Sequence, residues 1–184
     1  WDPGLWQMVL ATNGGAVAAA LTAMKEGVAG SLSSGLHHAR RDRGAGFCSL
    51  NGLVLAAKAA LAAGAGKVLI LDLDAHAGGG TYSLIKDDPR IAQLDLTSSP
   101  FDTYDPENDR TIFKMDDSHG SHLMARDFVG YGVGTLRDRG FVPDLVIYNA
   151  GMDPYTKPSV AAKWCEELVF DYLGNRPTAF VLAG

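Results

Sequence analysis

The chain has 184 residues, of which 47% are hydrophobic and 20% are charged, a composition typical of a globular protein with a sizeable core. The net charge of -5 does not favour direct binding to nucleic acid, and no apolar stretch approaches the ~18 residues that a membrane span requires. Two cysteines do not make a disulfide framework and no signal peptide is visible, so the sequence predicts a cytoplasmic protein.

Apolar residues follow helical and strand-like patterns in turn along the chain. Strands are predicted at residues 67–75, 90–96, 144–149 and 178–183, and helices at residues 14–27, 51–63, 81–85, 119–139 and 160–173. Residues 31–49 and 97–118, which are rich in Gly, Ser, Pro and Asp, are predicted to be loops. The alternation of strands and helices favours one α/β domain with a mainly parallel sheet and helices on both faces.

The most informative stretch is the apolar strand 67–75, which runs into Asp72, Asp74 and His76 at alternate positions. Alternate side chains of a strand share one face, so these three are expected at one place. Ligands bind at the carboxyl ends of strands in open α/β sheets, and carboxylate with imidazole suits Zn²⁺, Mn²⁺ or Fe²⁺. The alternative is a structural Asp that caps the next helix, which explains one of the three residues but not the set.

Two other segments carry residues suited to the same site. His37 and His38 are adjacent in a glycine-flanked loop. Imidazole is the usual proton carrier near neutral pH, so this pair is interpreted as catalytic. A later strand leads to Asp153, which would complete a set of three protein ligands with Asp74 and His76. Three ligands with an open position are typical of a catalytic metal.

In this order the segments resemble the histone deacetylase family of metal-dependent amidohydrolases. The matching stretches are His37-His38, Gly46-Phe47-Cys48, Asp72 to His76 and Ala150 to Asp153. The resemblance extends from about Ala11 to Gly184 and is strongest to bacterial members and the class IV branch. It implies a three-layer α/β/α fold of the arginase-deacetylase type, incomplete at both ends, with residues 1–184 forming a single partial catalytic domain.

The resemblance also implies a function, the zinc-dependent removal of an acetyl or other acyl group. Asp74, His76 and Asp153 would hold the Zn²⁺, for which Fe²⁺ is the alternative ion. The expected partner is an acetylated lysine or a small acylated amine. Direct nucleic-acid and membrane partners are not expected, and oligomerisation is left open.

The remaining site residues receive roles from the same resemblance. His38 would act as general base and then as general acid, and His37 would be its electrostatic companion. Asp72 would pair with His37 and set its tautomer. The substrate channel would be lined by Gly46, Phe47 and Cys48.

The sequence departs from the family pattern in two places. Where relatives commonly carry Asp or Asn three positions after the histidine ligand, this chain has Gly79. We therefore expect His38 to lack the side chain that orients it. The sequence also stops before the Tyr that helps to polarise the substrate carbonyl in the family, which implies a fragment.

Two other functions, and one further candidate metal site, fit parts of the sequence. An arginase-type ureohydrolase shares the fold but would need further bridging carboxylates. A non-catalytic member of the family would bind metal or ligand without turnover, and Gly79 is consistent with that role. His119 and His122 have a spacing that suits a metal on a helix, but their polar surroundings favour a surface position.

Overall fold

A computed structural model of the chain describes residues 2–116, 122–151 and 177–183. Within these ranges the helices are α1 (Pro3–Glu26), α2 (Gly52–Ala62), α3 (Gly79–Ile85) and α4 (His122–Asp138). The strands are β1 (Val28–Ser34), β2 (Val68–Asp72), β3 (Ile91–Thr97), β4 (Thr111–Met115), β5 (Leu145–Gly151) and β6 (Thr178–Ala183). The predicted helix 160–173 lies outside the described residues. No helix in these three ranges is long and apolar enough to cross a membrane.

The described strands form one sheet in which neighbouring strands run parallel. The strand order is β1-β6-β5-β2-β3-β4. The carboxyl ends of parallel strands lie at the same edge, and the register places Asp72 of β2 beside Asn149 of β5 and Asp95 of β3. Polar side chains from three central strands therefore meet at this edge.

Helices cover both faces of the sheet. Val68 and Ile70 of β2 belong to a core cluster shared with α1 and α2, whereas Leu69 and Leu71 belong to a cluster shared with α4. Every residue of β2 is buried, because the strand lies between two apolar layers. The three-layer parallel architecture predicted from the sequence is confirmed.

Two strands lie in segments that the sequence predicts to be loops. β1 is rich in small residues, yet it pairs in parallel with β6 at one edge of the sheet. β4 pairs with β3 at the other edge, directly after a polar loop of residues 98–110. In both cases pairing with a neighbouring strand outweighs the weak local signal.

The first helix begins at Pro3, well before the predicted start at residue 14. Proline suits the first helical position, and Asp2 caps the helix by accepting a hydrogen bond from the Gly4 backbone N–H at 2.6 Å. Gly15 lies inside the helix, where a Cβ atom would stand 2.6 Å from a serine hydroxyl of β1. This glycine therefore permits close helix–strand packing rather than marking the helix start.

The burial of core residues predicts how much individual leucine substitutions reduce stability. Leu69 of β2 is 1% exposed, whereas Leu32 of β1 is 93% exposed. Leu69→Ala removes buried side-chain volume from a packed layer, so we expect the free energy of unfolding to fall by about 2–5 kcal/mol. The matched control Leu32→Ala should change it by about 0.5 kcal/mol or less. Chemical denaturation of the two variants and the parent checks this, and equal losses would contradict the two-layer core.

Candidate active site

Asp72, the last residue of β2, is the centre of a buried hydrogen-bond network. Its Oδ2 atom accepts from Nδ1 of His37 at 2.7 Å, and its Oδ1 atom accepts from Nδ2 of Asn149 at 2.7 Å. Oδ1 also accepts from the backbone N–H of Asp74 at 3.2 Å. One carboxylate thus joins the histidine loop, β5 and the turn after β2.

β2 ends at Asp72, earlier than predicted, so Asp74 and His76 lie in the loop that follows the strand. The Oδ1 atom of Asp74 accepts from the His76 backbone N–H at 2.8 Å and lies 3.2 Å from Nδ1 of His76. The same oxygen lies 3.5 Å from Nε2 of His37. Asp74 is buried, whereas the His76 side chain is 38% exposed and can be reached from solvent.

Three imidazoles and one phenyl ring cluster above this network. The ring centroids of His37 and His38 are 4.0 Å apart, and those of His38 and His76 are 5.9 Å apart. Phe101 presents its ring edge-on to His38 at 4.9 Å and to His76 at 6.1 Å. The structure therefore brings together the residues of the two histidine motifs and adds an aromatic wall that the sequence does not indicate.

Backbone contacts hold the histidine loop in place. The carbonyl of His37 accepts from Nδ2 of Asn51 at 3.1 Å and from the backbone N–H of Thr81 at 2.9 Å. Asn51 also caps α2 by accepting from Val54 N at 3.1 Å. Gly80 packs against the backbone of the histidine pair, and a Cβ atom there would collide with it. The position of both imidazoles thus depends on the starts of α2 and α3.

The surroundings of His37 favour its protonated form. Burial by itself would lower the pKa of His37, because it penalises the imidazolium, but Asp72 outweighs this effect and, helped by Asp74 and Asp95, raises the pKa to about 9. His37 is therefore protonated at neutral pH in the metal-free protein. The folded-state pKa is above the ordinary 6.5, so the stability from this pair is fully present below pH 6.5 and is lost as the pH rises through about 9.

His38 has a carboxylate partner, contrary to the expectation from Gly79. Its Nδ1 atom lies 3.0 Å from Oδ2 of Asp102 in the 98–110 loop, and both side chains are largely buried. A Cβ atom on Gly79 would collide with the Asp102 backbone carbonyl and would lie 2.8 Å from its Oδ1 atom. The absence of a side chain at residue 79 therefore does not leave His38 unsupported, because Asp102 occupies that place.

Asp95 of β3 stabilises the turn that leads into α3. Its Oδ2 atom accepts from the Gly78 backbone N–H and from the Tyr104 hydroxyl, each at 2.8 Å. Burial, with the nearby charge of Asp72, raises the pKa of Asp95 well above its ordinary value. The signal in the sequence is that Asp95, like Gln93, interrupts a mainly apolar strand.

Of the three predicted channel residues, Gly46 and Cys48 lie beside His38. Gly46 has a positive φ of 51°, and a Cβ atom there would collide with the His38 ring, so both conformation and space require glycine. Phe47 is fully exposed, and Cys48 is buried with its thiol 3.3 Å from the Gly46 carbonyl. Their role in a channel stays a prediction.

The third predicted metal ligand, Asp153, lies outside the described residues. The end of β5 nevertheless reaches the site, since Gly151 packs so closely on Asp74 that a Cβ atom there would collide with its backbone. Within the ranges that the structure describes, no three His, Cys, Asp or Glu residues are arranged to hold a metal by themselves. His119 is outside these ranges too, so its pairing with His122 stays untested.

The parallel sheet and the carboxylates and imidazoles at its carboxyl edge define an α/β protein with a polar site suited to hydrolytic chemistry. The histone deacetylase domain family matches residues 1–174, so the chain belongs to that family, as its motifs indicate. The chain is 35% identical over 159 residues to histone deacetylase 2 of Arabidopsis thaliana, covering 76% of this chain and 37% of that protein. It is 32% identical over 168 residues to an uncharacterized protein of Picosynechococcus, covering 84% and 51% of the two chains.

A solved structure shares the fold. The acetylpolyamine aminohydrolase of Burkholderia pseudomallei superposes with a TM-score of 0.76 at 24% identity, covering 94% of this chain and 56% of that one. The chain spans about half the length of this structure, 51% of the Picosynechococcus protein and 37% of the Arabidopsis protein. The arginase-deacetylase type of fold is thereby confirmed.

The environment of Cys48 predicts a thiol of low reactivity. Burial raises the pKa of Cys48, so little thiolate is present at neutral pH. We expect iodoacetamide at pH 7.5 to alkylate Cys48 much more slowly in the folded protein than in denaturant. Mass spectrometry of the peptide that carries Cys48 measures both rates, and equal rates would contradict the buried position.

Proposed function

We propose that the whole protein is a zinc-dependent amidohydrolase that removes an acetyl group from an amine. The observation that carries this proposal is the paired arrangement of two buried imidazoles, each with its own carboxylate: His37 with Asp72 and His38 with Asp102. Such pairs are the usual means of moving protons in hydrolysis. Membership of the histone deacetylase family supports the amide as the bond that is cleaved.

Asp74 and His76, with Asp153 as the third ligand, are proposed to hold the metal. The fit is supported by the donor set, since the buried Asp74 carboxylate and the accessible His76 imidazole converge within 3.2 Å. Carboxylate and imidazole bind Zn²⁺ and also Fe²⁺, so Fe²⁺ is the alternative ion. A bound ion would supply polarisation of the amide carbonyl and a lowered pKa of water.

The chain's own residues would move the protons. His38 is proposed to take a proton from the attacking water and to return it to the leaving amine. His37, held by Asp72 at 2.7 Å, would stabilise negative charge that develops on the substrate oxygen. The close approach of the two rings, tilted by 44° with 4.0 Å between centroids, would let both act on one reacting centre.

The substrate is proposed to be an acetylated lysine or a small acylated amine. Gly46 and Cys48 lie beside His38, and Phe101 meets the same ring edge-on at 4.9 Å. Phe47, which is fully exposed, is proposed to contribute at the entrance. An apolar approach of this kind suits the methylene chain that both substrates share. The fold is common to an acetylpolyamine aminohydrolase, so fold alone does not choose between them.

Replacement of His38 tests the chemistry. His38→Gln keeps a polar side chain but cannot exchange a proton near neutral pH, so we expect kcat to fall by about 10²–10⁴-fold with zinc content unchanged. Hydrolysis of an acetyl-lysine peptide and of an acetylated diamine by the zinc-loaded whole protein provides the measurement. The control is Asp109→Asn, an exposed carboxylate in the 98–110 loop, which should leave kcat unchanged. Full activity of His38→Gln would argue for a different base.

Replacement of Asp74 tests the metal site separately. Asp74→Asn removes the negative charge that the proposed ligand set requires, so we expect the zinc affinity to fall at least tenfold. Isothermal titration with zinc, together with elemental analysis after dialysis, compares this variant with Asp109→Asn. Undiminished zinc binding by Asp74→Asn would exclude Asp74 as a ligand, whatever the activity.

A further inference from the structure

We propose that Asp102 is the positioning residue for His38, and that it does so from the place that a side chain on residue 79 would occupy. This inference rests on the proposed function, because it assigns a role within the same site. It differs from the sequence-based expectation, in which the orienting group follows β2 and is missing. Here the orienting carboxylate comes from the loop between β3 and β4.

Asp102 is held by several donors at once. Its Oδ2 atom accepts from Nδ1 of His38 and from the backbone N–H of Gly80, each at 3.0 Å. The Arg40 guanidinium donates to its other oxygen. The Asp102 side chain is 7% exposed. A largely buried carboxylate with three donors has little freedom to turn, so it fixes the plane of the imidazole to which it is bound.

The backbone of Asp102 shows that this placement is specific. Its φ angle is 61°, in the left-handed region that non-glycine residues seldom adopt and that Asp tolerates better than most. This conformation is maintained although Asp102 is not a glycine, and the contacts to Gly80 and Arg40 offset its cost. Burial alone would raise the pKa of Asp102, but His38 and Arg40 keep it below the ordinary value, so the carboxylate stays ionised.

A side chain on residue 79 and Asp102 would compete for the same space. Gly79 has no positive φ, so its backbone conformation does not require glycine. Space does require it, because a Cβ atom would collide with the Asp102 backbone carbonyl and crowd its carboxylate. Asp102 can therefore lie beside His38 because residue 79 has no side chain.

The consequence is chemical as well as steric. An ionised carboxylate at Nδ1 of His38 can only accept, so the proton of the neutral ring resides on Nδ1. Nε2 is then the basic nitrogen, which is the form that a general base needs. Asp102 does not touch the reacting atoms and acts through His38.

The first experiment replaces Asp102 with Gly in the whole protein, since glycine removes the carboxylate and tolerates the positive φ of residue 102. We expect kcat for the acetyl-lysine peptide to fall about 10–100-fold with KM within about twofold of the parent. Asp102→Asn, whose amide oxygen can still accept from His38 and Gly80, should retain more activity than Asp102→Gly. The control Asp109→Asn, in the same loop, should leave both constants unchanged. An unchanged kcat in Asp102→Gly would overturn the proposal.

A second readout does not depend on activity. Histidine-selective ¹⁵N NMR of the metal-free protein reports which ring nitrogen of His38 carries the proton, with the signal assigned through His38→Gln. We expect the Nδ1–H form in the parent and a substantial Nε2–H population in Asp102→Gly, which has no acceptor at this place. An identical tautomer in both would overturn the proposal. If the parent hydrolyses no acetylated amine, the proposed function fails, and this spectrum still decides the role of Asp102.

The third experiment tests the space at residue 79. Gly79→Ala should lower both the thermal midpoint and kcat, because its Cβ atom would collide with the Asp102 backbone carbonyl and crowd its carboxylate. A Gly79→Ala variant with the thermal midpoint and kcat of the parent would overturn the claim that a side chain on residue 79 and Asp102 compete for one place.

Discussion

The ion pair between Asp72 and His37 is the interaction on which the rest of the site depends. Asp72 is fully buried and binds His37 at 2.7 Å and Asn149 at 2.7 Å, so it joins β2, β5 and the histidine loop through a single carboxylate. Removing one partner of such a pair leaves an uncompensated buried charge, which typically costs about 3–5 kcal/mol. The pair connects β2 to the loop that carries His38, and β2 leads directly into the turn that carries Asp74 and His76.

The same pair determines how charge is distributed around the site. His37 carries a proton at neutral pH and offsets Asp72, while burial raises the pKa of Asp95 and favours its neutral form. Arg40 likewise offsets Asp102. The buried Asp74 carboxylate lies 3.5 Å from Nε2 of His37 and 3.2 Å from Nδ1 of His76, whose side chain is accessible. This distribution supports the proposal that a cation is bound through Asp74 and His76.

Much of the fold follows from local patterns in the sequence. The apolar run of β2 and the glycine-terminated α2 are each recognisable within a dozen residues, and their alternation implies a parallel sheet. β1 could not be predicted, because its small and polar residues become a strand only when β6 supplies the backbone partners. The place of Asp153 in the site stays a prediction from the strand that leads to it and from the family resemblance.

The residues of the candidate site also differ in how well the sequence predicts them. Asp72, Asp74 and His76 are close in sequence, so their spacing reveals that they belong together. Asp102 is distant from His38 along the chain and sits in a loop rich in Asp and Pro, where one more carboxylate carries no signal. Gly79 is a misleading signal. Its missing side chain suggests that His38 has no orienting group, although Asp102 supplies one from another loop. What the imidazole requires is an acceptor near Nδ1, and here the loop between β3 and β4 provides it at 3.0 Å.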